Sequence, residues 1–290
     1  MTPSQGSQGI ERLCRLAGVS RAGYYRDWNQ KQPVEAATEL RDAIQRICLG
    51  HRFYGYRRVG RELSKQGWRV SGKTIRRMMR EDNLLAVRKR KWVTTTDSQH
   101  ALAVFPNLAG YLDVDGPDQL WVADITYIRL RNEFVYLAVV LDAWSRRVVG
   151  WALDRSLTAT LAKRALLQAI ELRQPEPGLI HHSDRGVQYA SREYVEVLQQ
   201  WQIIGSMSRR ANPWDNATCE SFMKTLKQEE IYCTTYNNLE HLRQNLEVFI
   251  EAYYNRERMH SALGYQSPEQ FEHTARIEPQ SEAASRGITL

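Results

Sequence analysis

Three acids in this sequence sit where a carboxylate needs a reason to be. Asp124 interrupts the apolar run Trp121-Val122-Ala123-Asp124-Ile125-Thr126-Tyr127, where a buried, unpaired charge is costly and calls for a partner or a metal. Asp184 follows His181-His182-Ser183 and precedes Arg185-Gly186, at the mouth of an expected strand. Glu220 lies near the start of the stretch 216–229, just after the turn-forming pair Asn212-Pro213. An all-oxygen set of this kind suits hard divalent cations. Two such cations about 3.5–4 Å apart clamp the attacking and leaving oxygens of an in-line displacement at phosphorus. Each acid alone has a duller explanation: Asp184 as a turn cap, Glu220 as the i,i+4 partner of Lys224, Asp124 as a satisfied core acid. Their joint placement is what points to chemistry.

Such a site needs two neighbouring strands and a helix to bring the acids together. Residues 120–130, 134–141 and 147–153 are runs rich in Val, Ile, Tyr and Trp, joined by connections of hairpin length. Residues 158–173 read as a helix, 178–182 as a short strand, 191–201 as a helix and 203–207 as a strand. Two further helices are expected over 216–229 and 239–255. Three antiparallel strands followed by alternating helix and strand is the order of a ribonuclease-H-like α/β domain with a mixed five-stranded sheet. Its expected span is 118–272, and the polar stretch 273–290 reads as a flexible tail. His181 and His182 are neighbours on a strand, so they point to opposite faces and make a poor chelating pair. His182 reads as a local hydrogen-bonding group and His181 as structural or exposed.

The other end of the chain has a different character. Residues 1–110 hold 21 Lys and Arg against 9 Asp and Glu, a surplus of +12, whereas the remainder carries −5. A basic module attached to a mildly acidic one points to a polyanion partner. Two helix–turn–helix-like units are expected there, one over 1–30 and one over 40–85. In the second, Val59 and Leu63 share a helix face, Ser71 caps the next helix, and Ile75, Met78 and Met79 form its apolar side. That leaves Lys73, Arg76, Arg77 and Arg80 to meet a DNA groove. Residues 86–117, opening on Arg88-Lys89-Arg90-Lys91, read as a basic linker. Residues 67–74 match the phosphate-loop pattern G-x-x-x-x-G-K-T, but no apolar strand precedes them, so ATP binding is not expected.

The longest strongly apolar run, 135–141, is far short of a membrane span. The polar first eight residues argue against export. Four widely spaced cysteines fit a reducing cytoplasm better than a disulfide framework or a zinc site.

The chain resembles the DDE transposases of bacterial insertion sequences, in insertion sequence family three, relatives of retroviral integrases. The motifs that carry the resemblance are Trp121-x-x-Asp124-Ile125-Thr126-Tyr127, His182-Ser183-Asp184-x-Gly186-x-Gln188-Tyr189 and Asn216-Ala217-x-x-Glu220-Ser221-Phe222. Tyr254-Asn255-x-x-Arg258-x-His260, Leu263-Gly264-Tyr265-x-Ser267-Pro268 and the upstream Tyr54-Gly55-Tyr56-Arg57-Arg58 extend it. The 35 residues between Asp184 and Glu220 match the family's spacing. Ala211 and Trp214 depart from its pattern in the loop before Glu220. The resemblance implies cleavage and strand transfer at the ends of an insertion sequence by two Mg²⁺ ions, with Mn²⁺ as a substitute. The implied catalytic and metal-binding residues are Asp124, Asp184 and Glu220. DNA ends and target DNA are the implied partners, together with self-association on DNA and an upstream-frame product bearing a leucine zipper. The implied setting is the bacterial nucleoid. Lys227, seven residues after Glu220, is expected to hold DNA, with Lys224 on the same helix face. Arg258 is a further expected DNA contact. His182, Asn216, Asn255 and His260 are candidates for supporting contacts, although helix capping and surface pairing explain the 255–260 group equally well.

Overall fold

The computed structural model describes residues 35–84, 105–131, 133–209 and 216–276, together with Cys14, Arg15, Gly18 and Ser20. The expected unit over 1–30 and most of the basic linker lie outside these residues, as do Ala211 and Trp214. The chain forms two compact units, 1–87 and 88–290.

In the first unit, α1 (Glu35–Gly50), α2 (Tyr56–Lys65) and α3 (Gly72–Glu81) pack around a small core. Val59 and Leu63 of α2 and Ile75, Met78 and Met79 of α3 are buried, along with Leu40, Ile44 and Ile47 of α1. The missing side chain of Gly60 lets α2 approach α3, since a Cβ there would stand 3.2 Å from the Ile75 Cδ1. After α2 the chain reverses through Gly67, whose φ of +87° is one that glycine adopts at little cost. The Ser71 hydroxyl accepts the Thr74 amide at 3.2 Å and starts α3, as its residue type predicts. The phosphate-loop look-alike therefore spans the turn between two helices, a setting in which that motif has no strand to work from.

The second unit is built on one five-stranded sheet of order β3-β2-β1-β4-β5. Its strands are β1 (Leu120–Arg129), β2 (Phe134–Asp142), β3 (Val148–Asp154), β4 (Ile180–Ser183) and β5 (Ile204–Met207). β1, β2 and β3 form an antiparallel meander, and β4 lies parallel to β1 with Trp121 opposite His181. β5 continues the parallel half. On one face Trp121, Ala123, Ala138 and Val140 pack with α4 (Ala159–Arg173) and α5 (Arg192–Gln200). Gly150 makes that packing possible, because a Cβ there would fall 2.2 Å from the Ala165 carbonyl oxygen. On the other face Val122, Ile128, Leu137 and Val139 pack with α6 (Ala217–Leu226) and α7 (Leu239–Glu247). Both helices run on in π-helical geometry, over Lys227–Ile231 and Val248–Glu257.

The first four residues of the expected tail, 273–276, are helical, and 277–290 lie outside the described residues. A helix, α8, runs over residues 268–276. Its Glu272 is buried and ion-paired with Arg173 of α4 and Arg147, the latter at 3.1 Å. Arg147 also holds Glu269 at 2.7 Å. Ion pairs to residues about a hundred positions away or more hold this segment, and its polar composition gives no sign of them.

Candidate active site

Strand alternation and the parallel pairing of β1 with β4 decide where the acids go. Asp124 has the same parity as Val122 and Ile128, which belong to the core that includes Phe222 and Leu226 of α6. Asp184 comes directly after β4, and its Oδ1 accepts the Gly186 amide at 2.9 Å. A side chain at 186 would displace its neighbours: a Cβ would stand 2.9 Å from both the Asp184 Oδ1 and the Gln188 Oε1. Arg185 donates to the Ser208 carbonyl at 2.8 Å, fixing this loop to the end of β5. Glu220 is in the first turn of α6. Asn216, the residue before that helix, donates through Nδ2 to the Ala123 carbonyl at 3.0 Å, which ties α6 to β1 one residue from Asp124.

The charges of two of the acids reach the third. The Asp124 carboxyl is raised to about 7, first by burial and then by the charges of Asp184 and Glu220. The Ile125 amide, donating at 2.8 Å, and Lys227 pull it the other way. Burial also raises Glu220. Among the described residues, however, no three His, Cys, Asp or Glu side chains stand close enough to hold a metal ion as they are. As a donor set the three acids fit a divalent cation: all oxygen, strongly anionic, with Asp124 disfavoured as an anion until a positive charge joins it.

The neighbouring candidates take varied places. His182 is fully buried between the Ser206 hydroxyl, 2.8 Å from Nδ1, and the Ser208 hydroxyl, 3.0 Å from Nε2, and stitches β4 to β5. His181 is buried too, 3.1 Å from the Tyr194 hydroxyl, and burial holds it down at about 4, hence neutral. Lys224 is exposed, and no ion pair joins it to Glu220 among the described residues. Lys227 is half-buried, its Nζ 5.1 Å from the centre of the Tyr127 ring. Burial lowers its pKa, while Asp124 favours its charge.

The cluster at 255–260 overturns an expectation. Arg258 is buried, its guanidinium held by the Glu229 carboxylate at 2.8 and 2.7 Å and resting over the Tyr254 ring, so it is committed to the fold and not presented to DNA. Asn255 is also an internal group, its amide paired in both directions with the Val148 backbone at 3.0 Å. His260 is buried edge-on against Tyr254. In the first unit Lys73, Arg76, Arg77 and Arg80 are all exposed. Arg77 pairs with Glu81 at 2.9 Å, and Arg76 lies over the Tyr56 ring.

Tyr189 has no role in the sequence reading beyond its place in a motif. Its side chain is buried beside the Asp184 turn, and only its position five residues after Asp184 could have flagged it.

Comparison with known proteins agrees with this layout. Two models described as Integrase core domain match residues 114–213 and 202–268, and one described as HTH-like domain matches 35–92. An uncharacterized 31 kDa protein of insertion element IS600 from Shigella sonnei is 38% identical over 264 residues, covering 89% of this chain and 97% of that protein. The transposase InsF of insertion sequence IS3A from Escherichia coli (strain K12) is 36% identical over 277 residues, covering 92% and 95%. A looser likeness of shape, TM-score 0.43 at 19% identity, links 55% of this chain to 98% of the HTLV-2 integrase catalytic core domain in complex with magnesium.

Proposed function

Because the chain belongs to the insertion-sequence transposases of the IS3 type, with an HTH-like domain and an integrase core, we propose that Asp124, Asp184 and Glu220 are its catalytic, metal-holding residues. The observation that carries this reading is that the helix bearing Glu220 is tied to β1 beside Asp124 by the 3.0 Å Asn216–Ala123 hydrogen bond, and the charges of Asp184 and Glu220 both act on Asp124. The three would hold two divalent cations, Mg²⁺ or in its place Mn²⁺, which when bound supply activation of the attacking hydroxyl and charge stabilisation for the departing 3′-oxygen. The parallel β1–β4 pair gives Asp124 and Asp184 a rigid common base, and Asn216 holds the Glu220 helix against it. Lys227 and Lys224 would grip phosphates beside the reacting bond, keeping the scissile phosphorus in line. Cleavage by water and joining by a freed 3′-hydroxyl each form one P–O bond and break one. Joining therefore needs no nucleotide as an energy source.

In this reading residues 40–85 bind DNA, 86–117 link, and 118–272 carry the chemistry. The DNA substrates are the element's ends and its target, on the bacterial chromosome. Self-association on DNA and a partnership with the upstream-frame product belong to the same proposal. No helix among the described residues is long and apolar enough to cross a membrane.

The test is substitution by near-isosteric amides. Asp124→Asn, Asp184→Asn and Glu220→Gln should each abolish Mg²⁺-dependent cleavage and joining of end DNA while DNA binding persists. Asp115→Asn, at an exposed residue whose carboxylate accepts from the Gln119 side chain at 2.7 Å, should behave as wild type. Substantial joining by any of the three amides would remove that residue from the site.

A further inference from the structure

Tyr189 carries an oxygen that the fold does not use. Its ring is fixed by an edge-on contact with Tyr194, centroids 5.4 Å apart, and by His181 at 6.5 Å. The backbone before it is closed into a turn by the Tyr189 amide donating to the Gly186 carbonyl at 3.1 Å. A Cβ on Gly186 would come within 3.6 Å of the ring, so the Tyr189 side chain lies against the turn that carries Asp184. Yet the hydroxyl is buried and has no hydrogen-bond partner among the described residues. A buried hydroxyl left this way is unfavourable to the fold, and phenylalanine would pack the same ring without it.

What surrounds the hydroxyl indicates its use. Burial raises its pKa well above the ordinary tyrosine value, with Asp184, Tyr194, Asp124 and Cys219 adding to the effect in that order. It is therefore an O–H donor, unpartnered among the described residues and on a ring that lies against the turn carrying Asp184. A donor there has carboxylate oxygens as its natural acceptors, and carboxylates that hold a cation are themselves steadied by such outer hydrogen bonds.

We infer that Tyr189 is a positioning residue for the acid centre, its O–H donating to the Asp184 carboxylate when a divalent cation is bound. Asp184 would then be steadied from two sides, by the Gly186 amide and by the phenol. This rests on the reading of Asp124, Asp184 and Glu220 as the metal-holding set.

The experiment compares the full chain carrying Tyr189→Phe with wild type, measuring Mn²⁺ affinity by calorimetry and Tm with and without Mn²⁺. Loss of an outer hydrogen bond to a metal ligand weakens binding by about 10- to 100-fold. The expected result is Mn²⁺ affinity down at least about tenfold, with the metal-free Tm unchanged or raised because an unsatisfied oxygen has gone. Wild-type Mn²⁺ affinity in Tyr189→Phe would overturn the inference. So would a fall in metal-free Tm, which would show that the hydroxyl already serves the fold. Asp184→Asn, run alongside, separates the two levels. If it loses Mn²⁺ binding while Tyr189→Phe keeps it, only the role of Tyr189 fails. If Asp184→Asn binds Mn²⁺ as wild type does, the metal-holding assignment fails and the inference falls with it.

Discussion

At the scale of single residues, the most telling cation is Lys227. Its ammonium is half-buried over the Tyr127 ring and favoured by the charge of Asp124, so it stands at the edge of the acid centre. Two roles are open to a lysine in that place. It can be a counter-charge that steadies Asp124, or it can hold a phosphate of the DNA being cut. The two predict opposite responses to metal, since a cation entering the centre is repelled by a neighbouring ammonium. If Lys227 holds DNA, Lys227→Ala should slow cleavage and joining by about tenfold or more, the worth of one charge-assisted hydrogen bond. Mn²⁺ affinity should stay the same or tighten. Rates at the wild-type level would place the reacting strand elsewhere, and weakened Mn²⁺ binding would make Lys227 a support of the acids. Lys224→Ala should show the same slowing to a smaller degree, because that side chain is exposed one turn nearer the helix start.

At the scale of elements, Asn255 ties the π-helical continuation of α7 to the sheet, as does Glu251, which accepts from the Trp151 indole at 3.2 Å. Asn255 satisfies both the N–H and the C=O of Val148, the first residue of β3, where the β2–β3 register shifts between Val140 and Leu141. Asn255→Ala would strand both groups in the interior and should cost about 2–4 kcal/mol of stability. The check is a drop in the urea midpoint with little change in slope; an unchanged midpoint would mean that water replaces the amide without penalty. This residue also shows where sequence reading reached its limit. Asp124, Asp184 and Glu220 could be placed on their elements because strand alternation, the mouth of a strand and a helix start are local signals. The β1–β4 neighbourhood followed from the order of strands. The parts of Asn255, Arg258 and Glu272 were hidden because each is settled by a partner far along the chain: Val148, Glu229, and Arg147 with Arg173. An Asn or Arg near a helix end reads equally well as a cap, a surface charge or an internal strut. The buried hydroxyl of Tyr189 was hidden for a related reason, since sequence shows which groups are polar but not which of them lack a partner.

At the scale of the whole molecule, charge is divided as the chemistry is. The 110 residues that begin the chain carry +12 and the remainder −5, and that remainder includes three acids that would repel a phosphate backbone in the absence of metal. Binding to duplex DNA should therefore draw mainly on the basic end, through release of counterions from the phosphates it neutralises. The exposed face of α3 concentrates four of that end's cations, Lys73, Arg76, Arg77 and Arg80, on one short helix. Lys73, Arg76 and Arg80 have no carboxylate partner among the described residues, whereas Arg77 shares Glu81 with Arg41. A pair of this exposed kind is worth only about 0.3–0.5 kcal/mol, so Arg77 can leave it, but Glu81 stays nearby and offsets part of its charge toward DNA. In the full chain, Arg76→Ala with Arg80→Ala should make the plot of log affinity against log salt shallower by about 2, near 0.9 for each phosphate no longer neutralised. Arg77→Ala should change that slope by less than about 1 for the same reason. Binding should be measured on duplex DNA from about 50 to 200 mM salt, the range over which counterion release changes affinity steeply. If the double variant keeps the wild-type slope, α3 faces away from the duplex, and DNA is held by other parts of the basic end.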